Sequence, residues 1–192
     1  MLRSFSGKAL GFGAAAVAIA APMAWLFDLH GRFYFDWDHS MWLVGYVGEY
    51  WRVHGALPMV LNSGSGVGSP LPIFYGFLLY PLLAPLAAWL GAALAVRIGI
   101  AALLLLQFHA LVSAGRKVWG RSPLVFATAC TVLWSVYEMT DLYNRSDLPE
   151  YFATGFLFAF VGYAVAAAAA RRSVSAFFYG WMAVLCVVLS CG

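Results

Sequence analysis

Four consecutive residues, Asp36-Trp37-Asp38-His39, bring two carboxylates and an imidazole together. Such a set can hold a divalent cation, or supply a general base with a group to orient it. The same residues also read as a solvated loop with an interfacial tryptophan. A second polar stretch carries Glu138, Asp141, Arg145, Asp147 and Glu150. There Pro149 suits the first turn of a helix, with Asp147 as N-cap and Glu150 where the helix dipole favours an acid, which accounts for both acids without any chemistry. Arg145 follows Tyr143 and has the donor geometry to pair with a phosphate or carboxylate. Arg97 and His109 belong to an apolar segment, and ionisable groups in such segments are site candidates by default. Their plainer readings are snorkelling to the interface for Arg97 and a hydrogen bond to a neighbouring helix for His109. The Gly/Ser-rich run from Asn62 to Pro70 is loop-like. It follows no strand and lacks the lysine of a phosphate-binding loop, so it reads as a flexible connection whose glycines let a ligand approach the backbone.

The elements that must position these residues are membrane elements. The chain has 192 residues, of which 64% are hydrophobic and only 10% charged, and its mean hydropathy is +0.83. Soluble domains are nearer a quarter charged, so a water-soluble globule, a disordered chain and a nucleic-acid binder are all excluded. Cys130, Cys186 and Cys191 sit in apolar runs with no metal-type spacing, and read as small packing residues. Five or six apolar segments match the roughly 20 residues a bilayer asks for. They run Ala9–Phe27, Leu71–Leu90, Gly91–Ser113, Leu124–Met139, Tyr151–Ala170 and Val174–Ser190. The fold class is therefore all-α: a polytopic helical membrane protein in one membrane domain. Residues 1–27 read as an uncleaved first span rather than a signal peptide, 28–70 as a long outer loop, 71–90 as a proline-broken segment and 91–192 as the remaining helices.

Basic residues cluster at Arg3/Lys8, Arg116/Lys117/Arg121 and Arg171/Arg172, with no acid among them. The positive-inside tendency then places the N-terminus and these clusters in the cytoplasm, and loops 28–70 and 141–150 outside. This arrangement needs an odd number of crossings between the first loop and Arg116, so one of the two segments there should not fully cross. Leu71–Leu90, with Pro72, Pro81 and Pro85 just after Pro70, is expected to dip into the outer face. The rival has both segments crossing and the N-terminus outside. Within the first loop, residues 40–54 are expected to form an amphipathic helix lying in the interface, with Met41, Val44 and Trp51 on its apolar face and Glu49 and Arg52 nearer water.

The order of these features carries a resemblance. A basic N-terminus and one span lead to an acid-opened outer loop, an interfacial helix ending in "HGALP" and a Gly-rich stretch; then come "SPLPIFYGFLLYPL", a "LG…AVRIG" helix, a basic turn and "LYNRSDLPEYFA". The chain resembles the N-terminal part of the glycosyltransferase-C superfamily of integral membrane sugar transferases. It is especially similar to bacterial membrane proteins related by name to 6-pyruvoyl-tetrahydropterin synthase, although nothing in it argues for pterin chemistry. The resemblance implies a bacterial inner-membrane enzyme of the cell envelope that moves a sugar from a polyprenyl-phosphate donor to an acceptor at the outer face. It implies Asp38 as catalytic base or metal ligand with Asp36 as its rival, a second acid at Asp147 or Glu150, and Arg145 at a position suited to a lipid phosphate. The expected site is thus Asp38, Asp36 and Glu150 for catalysis, Arg145, His39, Arg52 and His54 for substrate, and Asp38, His39 and Glu150 for a divalent metal. No nucleic acid is expected as a partner; membrane lipid is. Such enzymes carry more spans and a soluble C-terminal domain, so the chain is expected to be part of a longer protein or to work with a partner subunit. The alternative is a non-enzymatic membrane component, either an assembly partner or a transporter of lipid-linked material.

Overall fold

The computed structural model describes residues 13–24, 36–58, 79–135, 139–140, 142 and 147–190, with the side chains of residues 36–38 outside that description. All regular secondary structure among the described residues is helical. The helices are α1 (Gly13–Ala24), α2 (Asp36–His54), α3 (Leu79–Leu90), α4 (Ala92–Trp119), α5 (Pro123–Leu133), α6 (Leu148–Ala168) and α7 (Ser173–Ser190). Among them α4, α6 and α7 are long and apolar enough to cross a membrane. At 1.5 Å per residue, α4 is about 42 Å long and α6 about 31 Å, against a hydrocarbon core of roughly 30 Å. By the same rise α3 is about 18 Å long and α5 about 16 Å, both short of that thickness. The prolines of α3 are part of the reason for its character: Pro85 lies inside the helix and cannot donate to the carbonyl one turn earlier.

Local chemistry sets the helix ends. Ser122 accepts from the Leu124 amide at 3.2 Å and Pro123 opens α5. Asp147 accepts from the Glu150 amide at 3.1 Å, with Pro149 in the first turn of α6. Gly91 joins α3 directly to α4 with φ 79° and ψ 158°, and Gly120 ends α4 with φ 76° and ψ −158°. Both conformations belong to a region that is essentially open to glycine alone.

α4 is the centre of the molecule, packed against α2, α3, α5 and α6. Close contacts at glycines fix the register. A Cβ on Gly99 would lie 3.1 Å from the Phe152 ring and 2.7 Å from Leu83, one on Gly155 would lie 2.6 Å from Leu103, and one on Gly162 would lie 2.9 Å from the Ala110 backbone. The α4 partners 99, 103 and 110 rise together with the α6 partners 152, 155 and 162, so the two helices run parallel. Leu83 against Gly99, across the Gly91 junction, makes α3 and α4 an antiparallel pair. α2 lies antiparallel to α3: Gly48 faces Ala87 and Gly45 faces Ala92. α7 folds back along α6, where Tyr163 and Tyr179 stack at 6.2 Å and Ala159, Tyr163, Ala183 and Cys186 share a small core. The Trp134 indole donates to the Ala18 carbonyl at 3.2 Å and ties α1 to the end of α5.

A helix covers the expected 40–54 and begins earlier, at Asp36. Asp36, Asp38 and His39 are therefore in the opening turn of a helix and not in a loop, because acids there meet the positive end of the helix dipole. Leu43, Val44, Val47 and Gly48 form the buried face of α2, with Met41 and Trp51 half-buried and Glu49 and Arg52 exposed. Among the described residues each expected apolar segment contains a helix: Gly13–Ala24 in Ala9–Phe27, Leu79–Leu90 in Leu71–Leu90, and Pro123–Leu133 at the start of Leu124–Met139. Arg3, Lys8, the Gly/Ser run and residues 71–78 lie outside the described residues.

Candidate functional site

Helix polarity divides the polar residues between two ends of the molecule. α4 and α6 start at the same end. The register of Gly99 on Phe152 puts Arg97 at the level of Glu150. The Gly45–Ala92 contact leaves residues 36–44 beyond the start of α4, and α2 comes within contact of α6. By the same contacts Arg97, Asp147 and Glu150 stand level with residues 47–50 of α2, and the first turn of α2, with Asp36, Asp38 and His39, extends roughly 16–21 Å beyond Arg97 and Glu150 along the axis. Arg97 and Glu150 are half-buried.

The expected residues fare differently within this arrangement. His39 is exposed, and its ring stacks on Trp42 at 6.3 Å. Asp147 is engaged as the cap of α6, accepting from the Glu150 amide. Arg52 and His54 lie closer to the level of Arg97 and Glu150 than the α2 opening turn does. They lie about 20 Å further along α2 than His39, by helical rise. Arg52 Nε donates to Glu49 Oε2 at 2.8 Å and its Nη2 donates to Oε1, a bidentate pair on the surface. The hydrogen bond from Arg52 holds the Glu49 carboxyl below its ordinary range; slight desolvation opposes this and the attraction of the charges adds to it. The guanidinium is pushed up in turn, chiefly by the same hydrogen bond. His54 packs on the Tyr50 ring at 4.1 Å, with Nδ1 3.1 Å from the Tyr50 carbonyl. Arg145 lies outside the described residues, as do Glu138 and Asp141.

A donor set for a metal was expected at Asp38, His39 and Glu150. Among the described residues no group of three or more His, Cys, Asp or Glu side chains converges. His39 turns its ring to Trp42, so the described members of that set do not show a formed metal site, and no step below is routed through a cation.

Two features escaped the sequence reading. One is a continuous stack of rings along α2, His39–Trp42–Tyr46–Tyr50–His54, with centroids 6.3, 5.8, 6.3 and 4.1 Å apart. Its three- and four-residue spacing was the signal, since those positions share a helix face. The other is the partner of His109: its Nδ1 shares a 2.8 Å hydrogen bond with the Tyr163 hydroxyl across α4 and α6. Nothing in the sequence pairs two residues 54 positions apart.

Comparison with protein-family models, curated proteins and solved structures finds no match for this chain. The functional reading therefore rests on the site itself. The Glu150 carboxylate in the first turn of α6, with Arg97 at the same level, has the chemistry to accept a proton from an acceptor and to stabilise a departing anion. The ring stack supplies aromatic surface beside them.

Proposed function

We propose that the chain is a glycosyltransferase-like membrane protein that transfers a sugar from a polyprenyl-phosphate donor to an acceptor at the extracytoplasmic face of a bacterial inner membrane. The supporting observation is the placement of Arg97 and Glu150 at one level, at the end of the bundle from which the α2 opening turn extends. In this reading the Asp38 carboxylate takes the proton from the acceptor hydroxyl or amine. The freed electron pair attacks the anomeric carbon, the bond from that carbon to the phosphate oxygen breaks, and polyprenyl phosphate departs with inversion. Asp36 is the alternative base. Glu150 orients the acceptor, and Arg145 meets the phosphate. His39 borders the site. Arg52 is paired with Glu49 and His54 packs on Tyr50. A divalent metal remains part of the proposal, and a chelator tests it directly.

The test is transfer of labelled sugar from a polyprenyl-phosphate donor in membranes holding the full-length protein. Asp38→Asn should lower transfer by about 100-fold or more, the usual worth of a general base, while the protein stays folded in the membrane. Unchanged transfer with Asp38→Asn and with Asp36→Asn would overturn the assignment of the base. A second reading, a non-enzymatic membrane component, is favoured by the structural work of Asp147 as a cap and of Glu49 in holding Arg52. It expects tolerance of change at Asp36, Asp38 and Glu150, and sensitivity along the packed faces of α4 and α6.

A further inference from the structure

The opposite end of the bundle carries its own chemistry. Arg116 and Lys117 stand in the last turn of α4, Arg121 follows in the turn to α5, and Arg171 and Arg172 form the turn from α6 to α7. Because α4 and α6 run parallel, both turns lie at the same end. All five residues are exposed. Residues 92–137 and 151–192 contain no Asp or Glu, so no carboxylate of either turn balances these charges.

The cations are also placed. The Arg116 guanidinium sits 5.0 Å from the centre of the Phe126 ring of α5, and the Lys117 ammonium 5.7 Å from that of Tyr179 on α7. Attraction to ring faces holds both side chains against the bundle. Directly beside them the surface turns apolar. Trp119 is 66% exposed, Leu124 74%, Val174 79% and Phe177 72%. Further along α7, Trp181, Val184 and Val188 continue the same outward apolar run.

From these observations we infer that this end of the molecule is a binding site for an anionic phospholipid, with phosphate at the two basic turns and acyl chains along α7. Charge of one sign asks for an anion, and the adjoining apolar surface asks for one with a hydrocarbon tail; a soluble phosphate satisfies only the first. Two separate basic turns suit a headgroup bearing two phosphates, as in cardiolipin, better than one.

The experiment uses the detergent-purified full chain with added cardiolipin, phosphatidylglycerol or phosphatidylcholine, reading retained lipid by native mass spectrometry and thermal stability in parallel. Cardiolipin should be retained and should raise the melting temperature, phosphatidylglycerol less so, and phosphatidylcholine not at all. The variants are Arg116→Gln with Lys117→Gln and Arg121→Gln, and separately Arg171→Gln with Arg172→Gln. Each neutralised cation should weaken retention about fivefold. Raising salt on the unmodified protein should strip the lipid as well, a reading that does not depend on any variant folding. Equal retention of phosphatidylcholine, retention unchanged in both variants, or stabilisation by inorganic pyrophosphate as strong as by cardiolipin would each overturn the inference.

Discussion

Asp147 and Glu49 show how a single contact decides what a charged residue is available to do. Asp147 is a helix cap, so Asp147→Ala should cost about 1 kcal/mol, the usual worth of an N-cap. Unfolding of the purified protein would show it, and Asp147→Asn, which keeps a capping oxygen, should recover most of the loss. The sequence predicts this role correctly, since an aspartate two residues before a proline at the start of an apolar run has a local signature. The engagement of Arg52 was equally local. Glu49 stands three residues away, yet the sequence reading takes Glu49 only as solvent-facing and Arg52 as a substrate residue. Arg52→Gln should let the Glu49 carboxyl rise to its ordinary titration range, which carboxyl-resolved NMR would follow. A carboxyl that stays low without Arg52 would mean some other cation holds it. The sign follows from the depressed value. Any stability the pair contributes is present above the ordinary carboxylate range and is lost as pH falls through the depressed one. With both side chains exposed, salt screens it.

At the scale of elements, α4 and α6 approach closely because glycine lines their contact. A side chain at Gly162 would press on the backbone of Ala110, which cannot yield as a flexible side chain would. Gly162→Ala should therefore destabilise the bundle by about 1–3 kcal/mol, the range for overpacking. Gly180→Ala, where a Cβ meets nothing within 4 Å, should leave stability undiminished or raise it by up to about 1 kcal/mol through helix propensity. Denaturant titration in detergent compares the two, and equal stability of both would mean α4 and α6 stand further apart. Gly91→Ala should cost a similar 1–3 kcal/mol, approximately, for a different reason, because its φ of 79° with extended ψ excludes a Cβ. The helices themselves were legible from apolar run length. The start of α2 was not, because Asp-Trp-Asp-His reads as loop chemistry and as a helix opening alike. Nor was the register of α4 on α6, which depends on contacts between residues more than 50 positions apart and leaves only scattered glycines in the sequence.

For the whole molecule, parallel α4 and α6 separate charge by end. Arg116, Lys117, Arg121, Arg171 and Arg172 gather at one pole, and Asp147 and Glu150 stand at the other. Charge counting alone left two orientations open, but in both of them these two basic turns share a face. The register gives that shared face an independent physical basis. Single cysteines in a background lacking Cys130, Cys186 and Cys191 test it: Ser122→Cys and Ser173→Cys should react with an impermeant reagent from one face of the membrane, and Pro149→Cys from the other. Reaction of positions 122 and 173 from opposite faces would break the parallel arrangement and, with it, the joining of Arg97 and Glu150. Which face reacts in intact cells is a separate question, and protection of 122 and 173 from outside would put the basic pole in the cytoplasm. The acidic pole would then face outward, where a lipid-linked sugar donor and its acceptor would meet.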